Sequence, residues 1–422
     1  MKISKLLNYL TFVMLPWDVI KLKNFESMPP ERRLDLQAEL IKRILTTARR
    51  CFKSYGTLHS QARLAEYPIL SKDQLRSLQS IYKPMKRFYV ISASGGSTGK
   101  PTTVAQSLYY WRINRANKLY IYMKSSGLIF PKVAKLWGED NPSKRSAKQL
   151  YLWLSRTKIY NTFRASENDY TIWLRELNQK KPDILEGYAS SLDDFLIHTS
   201  PSQTKWQPKV VLSSAGVLTP TLIRNIRKRW PTVRIVNRYG SREVGDIAWG
   251  MSDSGLDAPR LYINQLTHQV EVVDSEGCPC QPGEVGRILV TQLANHAYPI
   301  VRYDLGDLGV LNLDENNSPY LSRLVGRTVD VFKGINGERV DGEFFTHLFY
   351  GIDLIDSFQV IQSKQGIAIN VRIRGDELPD SYMKSIEAKV SRVLPGVPIV
   401  WRINQEFIKD PSGKVRFTRC EI

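Results

Sequence analysis

The run Ser94-Gly95-Gly96-Ser97-Thr98-Gly99-Lys100-Pro101 combines three properties that phosphate binding needs. Glycine lets backbone amides crowd an anion, hydroxyls donate to its oxygens, and lysine brings the opposite charge. The run reads as a loop that handles a nucleotide triphosphate, with a flexible surface loop as the alternative for a stretch so rich in Gly and Ser. It is not a Walker A loop, which needs Gly, four residues and then Gly-Lys-Ser/Thr. Ser94 holds the first of those places here and Pro101 the last.

Other clusters could act with it. Asn237-Arg238-Tyr239-Gly240-Ser241-Arg242-Glu243 follows a strand-like run and gathers a glycine, a hydroxyl, a guanidinium and a carboxylate. A carboxylate near a phosphate loop is a usual Mg²⁺ holder, because hard cations take oxygen ligands. A polar loop with a surface ion pair is the alternative. Arg302-Tyr303-Asp304-Leu305-Gly306-Asp307 puts two acids and an arginine around a turn, where Asp307 could accept two ribose hydroxyls or merely close the turn. Gly326-Arg327 and Ser412-Gly413-Lys414 complete the set. A lysine on a glycine turn is ordinarily solvated, so each cluster alone says little.

The elements that must position these residues alternate between strand and helix. Glu31 to Arg50 reads as a helix with Leu36, Leu40, Ile41, Ile44 and Leu45 on one face. Arg87–Ile91 is a strand leading into the glycine-rich loop; Lys209–Ser213 is another, followed by a helix over Pro220–Trp230 and a strand at Arg234–Asn237. That order predicts an α/β sheet whose loops at strand ends gather a ligand. After Gly326 the texture changes: strands at Phe358–Ile361, Ile367–Ile373 and Ile399–Trp401, with an amphipathic helix over Ser381–Leu394, predict a small α+β domain. The expected boundaries are 1–325 for a large N-terminal α/β domain and 326–422 for a small, mobile C-terminal one.

The 422-residue length is too great for one ordinary core, and 42% hydrophobic with 10% aromatic residues excludes a disordered chain. Four cysteines imply no disulfide framework and fit a reducing compartment. Cys278-Pro279-Cys280 lacks the spacing and the second pair of a zinc site, and is expected to be a turn with buried thiols. The net charge of +19 draws anions, but its lysines and arginines are dispersed and no nucleic-acid-binding motif accompanies them. No nucleic-acid partner is expected, and a solvated basic surface is preferred to a dedicated polyanion site. Leu6–Trp17 is apolar, too short to span a bilayer, and followed by no small-residue cleavage site. An amphipathic segment packed on the protein is expected, with peripheral membrane contact as the alternative. A cytoplasmic location, either free or at the inner face of the membrane, is the default.

The order of the motifs carries a resemblance. The loop at Ser94–Pro101, Tyr239-Gly240-Ser241-Arg242-Glu243, Arg302–Asp307, Gly326-Arg327 and Gly413-Lys414 occur in the order found in adenylate-forming enzymes. The chain most resembles the phenylacetate–CoA ligase branch, including its capsule-polysaccharide-biosynthesis relatives, from about Tyr89 to the C-terminus. The resemblance implies a large adenylation domain, ATP and Mg²⁺, and a small-molecule carboxylic acid that attacks the α-phosphorus to give an acyl-adenylate and pyrophosphate. An acceptor, typically coenzyme A, then displaces AMP. Ser94, Gly96, Ser97, Thr98, Gly99 and Lys100 would grip the β- and γ-phosphates, and Ser214-Ala215-Gly216 would lie against adenine. Tyr239, leading Gly240 and Ser241, would stack on the base; Glu243 would help hold Mg²⁺; Asp307 and Arg327 would bind the ribose. Lys414 would reach the α-phosphate and the carboxylate oxygen and offset charge developing there.

Three departures stand out. Gly95 replaces a hydroxyl, Arg242 stands where the motif has threonine, and Val329 precedes Asp330 where a hinge residue is usual. Arg242 either donates to the α-phosphate with added charge or blocks the site. The acyl pocket is expected between Leu136 and Tyr188 and around Ser214, a region holding Trp137, Trp153, Tyr160, Trp173 and Tyr188, all of which could equally be core. Coenzyme A is the expected acceptor. An amine or hydroxyl of a surface glycan is the alternative, and a catalytically silent anion-binding protein is the reading from another class.

Overall fold

The structure, a computed structural model, describes residues 3–52, 55–81, 89–93, 102–137, 149, 152–162, 165–214, 218, 220–255, 258–274, 276–327, 331–349, 352, 354–373, 377–405, 407–408 and 418–422. The chain divides into two compact units. The first comprises Met1–Ser94, Thr102–Leu305 and Gly309–Leu324; the second comprises Gly95–Pro101, Gly306–Leu308 and Val325–Ile422.

Helices α1 (Ile3–Glu26), α2 (Pro30–Cys51) and α3 (Lys72–Ile81) open the first unit. Strands β1 (Tyr89–Ala93) and β2 (Thr103–Ser107) form an antiparallel pair that leads into α4 (Leu108–Ser126). Next come β3 (Val133–Trp137), β4 (Thr157–Asn161), α5 (Glu167–Lys180), β5 (Ile184–Gly187), α6 (Ala189–Ile197), β6 (Val210–Ser214) and α7 (Pro220–Arg229). Longer strands follow: β7 (Arg234–Ser241), β8 (Gly245–Ser252), β9 (Leu261–Ile263), β10 (His268–Val273), β11 (Val285–Gln292), β12 (Tyr303–Leu313) and β13 (Pro319–Arg327). One sheet runs β10-β11-β12-β13-β9-β8-β7-β6-β5-β3-β4. Its β4, β3, β5, β6 and β7 pair in parallel, while β7 pairs antiparallel with β8.

The central parallel strands β5 and β6 are buried on both faces, as strands roofed by helices on each side must be, whereas β4 at the sheet's edge buries only Tyr160. Their register sorts residues by parity. Ala134, Leu136, Leu185, Val211 and Ile235 look toward one core with Leu174 of α5, Phe195 of α6 and Ile226 of α7. Val133, Ile184, Val210, Leu212 and Val236 look the other way, against Ile121 and Tyr122 of α4. On this second face the side chains turn from apolar to charged toward the carboxyl ends, where Lys135, Glu186, Ser214 and Arg238 stand. Ligands of α/β sheets bind at such strand ends.

Helix α4 is capped by Ser107, whose Oγ accepts from the Tyr110 amide at 3.2 Å, and stops at Gly127 with φ +71°. Leu15, Val19, Leu22 and Phe25 of α1 recur at helical spacing and bury against Tyr110, Ile113 and Ala116 of α4. The expected amphipathic segment is thus a longer helix. Among its described side chains the packed face runs from Leu15 to Phe25, and Trp17 points outward, 72% exposed. No helix among the described residues is long and apolar enough to cross a membrane.

In the second unit, β14 (Val331–Lys333) and β15 (Arg339–Asp341) pair and lead into α8 (Gly342–Phe349). Strands β16 (Ile355–Ser363) and β17 (Gly366–Ile373), helix α9 (Asp380–Val393), β18 (Ile399–Ile403) and β19 (Thr418–Cys420) build a sheet of order β18-β17-β16-β19. Its core joins Phe345, Val360, Ile367, Ile369, Val371, Ile386 and Val390.

One expectation is corrected at Cys278-Pro279-Cys280. The segment turns back beside β10, with the Cys278 amide on Asp274 Oδ1 at 2.9 Å. Cys278 is exposed and Cys280 half-buried, because the turn lies at the sheet's edge rather than under a layer. Among the described residues no group of three metal-ligating side chains exists.

Candidate functional site

The segment 237–243 does not follow a strand; β7 runs through it to Ser241. A register shift between Tyr239 and Gly240 then turns the chain into β8. Bulges of this kind re-aim side chains at the ends of strands. Glu243 sits on the turn, 7% exposed, with Lys72 Nζ of α3 3.8 Å from its carboxylate. Its carbonyl accepts from Gln292 Nε2 at 3.2 Å. Arg242 beside it is exposed, Ser241 Oγ accepts from the Val244 amide at 3.4 Å, and Tyr239 is half-buried against the core beneath.

Helix α4 and a buried histidine hold this turn from below. The Val244 carbonyl accepts from the Tyr110 hydroxyl and, at 2.6 Å, from His268 Nε2. Asn114 Oδ1 accepts from the Asp246 amide at 3.2 Å. Because Nε2 must carry the proton, Nδ1 of His268 accepts from Thr267 Oγ1 at 2.9 Å. Burial pushes the His268 imidazole down from 6.5 to about 4, so it stays neutral. Its contribution is present above about pH 6.5 and lost as pH falls toward about 4, where the unfolded chain binds the extra proton. Between pH 7 and 4.5 this removes about 2 kcal/mol of stability. Denaturant titrations of the parent and His268→Gln at both pH values should show that the variant's loss is smaller by about that amount.

Other predicted residues are placed as follows. Ser214 ends β6, 8% exposed, and its Oγ accepts from Arg238 Nη2 at 3.2 Å. Asp307 lies in β12 and is half-buried; Arg327 ends β13. Ser94, Gly95, Gly96, Ser97, Thr98, Gly99, Lys100, Ala215, Gly216, Val329, Asp330 and Lys414 lie outside the described residues. The structure therefore brings Ser214 and the Tyr239–Glu243 turn to adjacent ends of β6 and β7.

The most heavily charged part of the site escaped sequence reading. Glu186 of β5 is fully buried, and its carboxylate meets Arg238 Nη2 at 2.8 Å, Lys135 Nζ at 2.9 Å, Lys118 Nζ at 3.4 Å and the Tyr122 hydroxyl. Asp246 lies 3.5 Å from Arg238 Nε. Burial alone would push the Glu186 carboxyl up; Lys118, Lys135, Arg238 and Tyr122 overrule it and hold it well below the usual carboxylate range. Burial drives the Lys135 ammonium well below its ordinary value, against the pull of Glu186. Arg238 keeps its charge because Asp246 and Glu186 outweigh its desolvation. The legible signal was a charge inside an apolar strand, Ile184-Leu185-Glu186-Gly187 and Val133-Ala134-Lys135-Leu136-Trp137, since such residues are buried only when paired.

Of the aromatics, Trp137 and Tyr188 stack above this cluster with centroids 4.1 Å apart and planes tilted by 36°. Lys118 and Lys135 approach the Trp137 ring at 5.8 and 5.9 Å. Tyr160 and Trp173 belong to the core on the opposite face, and Trp153 is 74% exposed.

Comparison with solved structures bears on the fold. A 2-hydroxyisobutyryl-CoA ligase crystallised in its postadenylation state with an acyl-AMP superposes over 93% of this chain and 90% of its own, with TM-score 0.58 and 16% identity. The same ligase with 2-HIB-AMP and CoA in the thioesterification state covers 94% of this chain and 91% of that one, again with TM-score 0.58 and 16% identity. The fold is that of these ligases. No protein-family model matches the chain, and no curated protein matches it.

Proposed function

We propose that the chain is an ATP-dependent, AMP-forming ligase that adenylates a carboxylic acid and passes the acyl group to coenzyme A. One observation carries this reading: a buried carboxylate, Glu243, stands on a braced turn at the carboxyl end of a central strand, in a fold shared with an acyl-adenylate-forming ligase. The order of the remaining motifs supports it. An acid oxygen attacks the α-phosphorus of ATP and pyrophosphate leaves; the thiol of coenzyme A then attacks the acyl carbonyl and AMP leaves.

The chain's own contribution is positioning and charge. Tyr239 offers a ring to the base, Ser214 a hydroxyl beside it, and the Ser94–Lys100 loop the phosphate donors. Asp307 and Arg327 are assigned to the ribose, and Lys414 to the α-phosphate. Glu243 would hold Mg²⁺; one carboxylate suffices there, because Mg²⁺ takes most of its other oxygens from phosphates and water. When bound, the ion offsets charge on the phosphates. Lys72 balances Glu243 in the structure, so its ammonium must yield that carboxylate. The stacked Trp137–Tyr188 pair favours an acid with a flat apolar body, as in the phenylacetate–CoA ligase branch. A cytoplasmic location, where ATP and coenzyme A occur together, belongs to the same proposal.

Pyrophosphate release with ATP, Mg²⁺ and a panel of aromatic and short-chain acids tests the reading. Acid-dependent release is expected, falling at least ~10-fold in Glu243→Gln and in Lys414→Ala. Release with no acid in the panel overturns adenylation. Adding coenzyme A and finding free acyl-adenylate but no thioester would move the acceptor to an amine or hydroxyl.

A further inference from the structure

Three basic side chains gather on Glu186 at the ends of the parallel strands. Among the described residues, Lys118, Lys135 and Arg238 meet two carboxylates, Glu186 and Asp246. Glu186 has two oxygens and already serves four donors, so it can take no more. Nη1 of Arg238 is buried with no acceptor among the described residues. A buried guanidinium donor without a partner is costly, and native structures rarely keep one without a reason. The cluster also opens outward: side-chain exposure rises from 0% at Glu186 to 4% at Arg238, 12% at Lys135 and 31% at Lys118. It opens beside Trp137 and Tyr188, at the carboxyl ends of β3, β5 and β7, next to Ser214.

We infer that the acid adenylated by this protein carries a second anionic group, held by Lys118, Lys135 and Arg238 under the Trp137–Tyr188 pair. The inference rests on the adenylation reading and narrows its substrate to dianionic acids, such as dicarboxylates. A flat body between the two charges would lie along the aromatic pair. Its far anion would then supply the acceptor that Arg238 Nη1 lacks, in a site already desolvated and therefore strong for charge-assisted hydrogen bonds. A cluster that served only to fasten α4 to the sheet would not discriminate between acids.

Matched acids differing in that one group distinguish these cases: terephthalate against 4-methylbenzoate, and glutarate against pentanoate. Calorimetry on the full chain without ATP, and pyrophosphate release with ATP and Mg²⁺, give two independent readouts. The dianionic member of a pair is expected to bind, and to react in kcat/KM, at least ~10-fold better, with most of the difference in KM. Lys118→Met should narrow that ratio, and Lys118→Arg should restore it. Lys118 is the most exposed of the three cations, so its variants are the ones expected to fold, which a thermal melt verifies. A ratio near one in pyrophosphate release overturns the inference, as does a ratio unmoved in folded Lys118→Met. Pyrophosphate release that ignores the second charge removes this inference and leaves adenylation standing. A binding preference with no release for any acid overturns adenylation, and with it the substrate assignment, and leaves only an anion site at Lys118, Lys135 and Arg238.

Discussion

Glu186→Ala is expected to lower stability by about 3–5 kcal/mol, enough to leave little folded protein at ambient temperature. The cause is not the loss of four hydrogen bonds as such. With the carboxylate gone, Lys118, Lys135 and Arg238 repel one another on a face where Val133, Ile184, Leu212 and Val236 exclude water. Removing one partner of a buried ion cluster costs far more than removing both, because the survivors keep their desolvation penalty. Lys135→Met in the same background should therefore recover part of the loss, since methionine fills a similar volume without charge. Urea titrations of the parent, the single and the double variant give the answer. A single variant within about 1 kcal/mol of the parent would mean that the cluster is wet and loosely held.

Gly245→Ala is the second large effect, and its origin is steric. Gly245 adopts φ +78°, and a Cβ there would lie 2.5 Å from both Asn114 Nδ2 and Tyr110 Oη of α4. The left-handed backbone costs an alanine about 1 kcal/mol, and overpacking adds about 1–3 kcal/mol. Tyr110 is fully buried and cannot swing away, so the turn must lift instead. Glu243 rides on that turn. The variant should lose ~2–4 kcal/mol of stability and, at temperatures where it is folded, adenylate at least ~100-fold more slowly. Gly255→Ala is the control for backbone strain alone, since it also has positive φ but meets nothing within 4 Å. Equal behaviour of the two variants would sink the steric argument.

Much of the fold was legible where local pattern and tertiary context agree. The helix expected over Glu31–Arg50 is α2, the strand and helix around Val210 and Pro220–Trp230 are β6 and α7, and the amphipathic Ser381–Leu394 is α9, each within a residue or two. The site was less legible, for a physical reason. Arg238 to Ser241 looks like a polar loop because its partners are far away in sequence: Glu186 lies 52 residues upstream and β8 supplies the hydrogen bonds afterwards. Periodicity reports which residues want burial but cannot see that a guanidinium is neutralised from another strand. Conversely, the aromatics between Trp137 and Tyr188 read alike by composition. Strand parity separates the pair above the cluster from Tyr160, which faces the opposite core with Trp173 of α5.

Helix α4 meets both halves of the candidate site. Near its start Tyr110 and Asn114 brace the turn that carries Glu243; two turns later Lys118 and Tyr122 close on Glu186. About 18 Å of one rod, clamped from behind by α1, thus sets the spacing between two recognition points. Such a mount makes selectivity hard to redesign from the helix, because any shift that accommodates a new acid also tilts the opposite end. The accessible route lies on the strands. Lys135, Trp137 and Tyr188 can be exchanged without moving the rod, so relatives that diverge in substrate should differ there first and keep α4 nearly fixed.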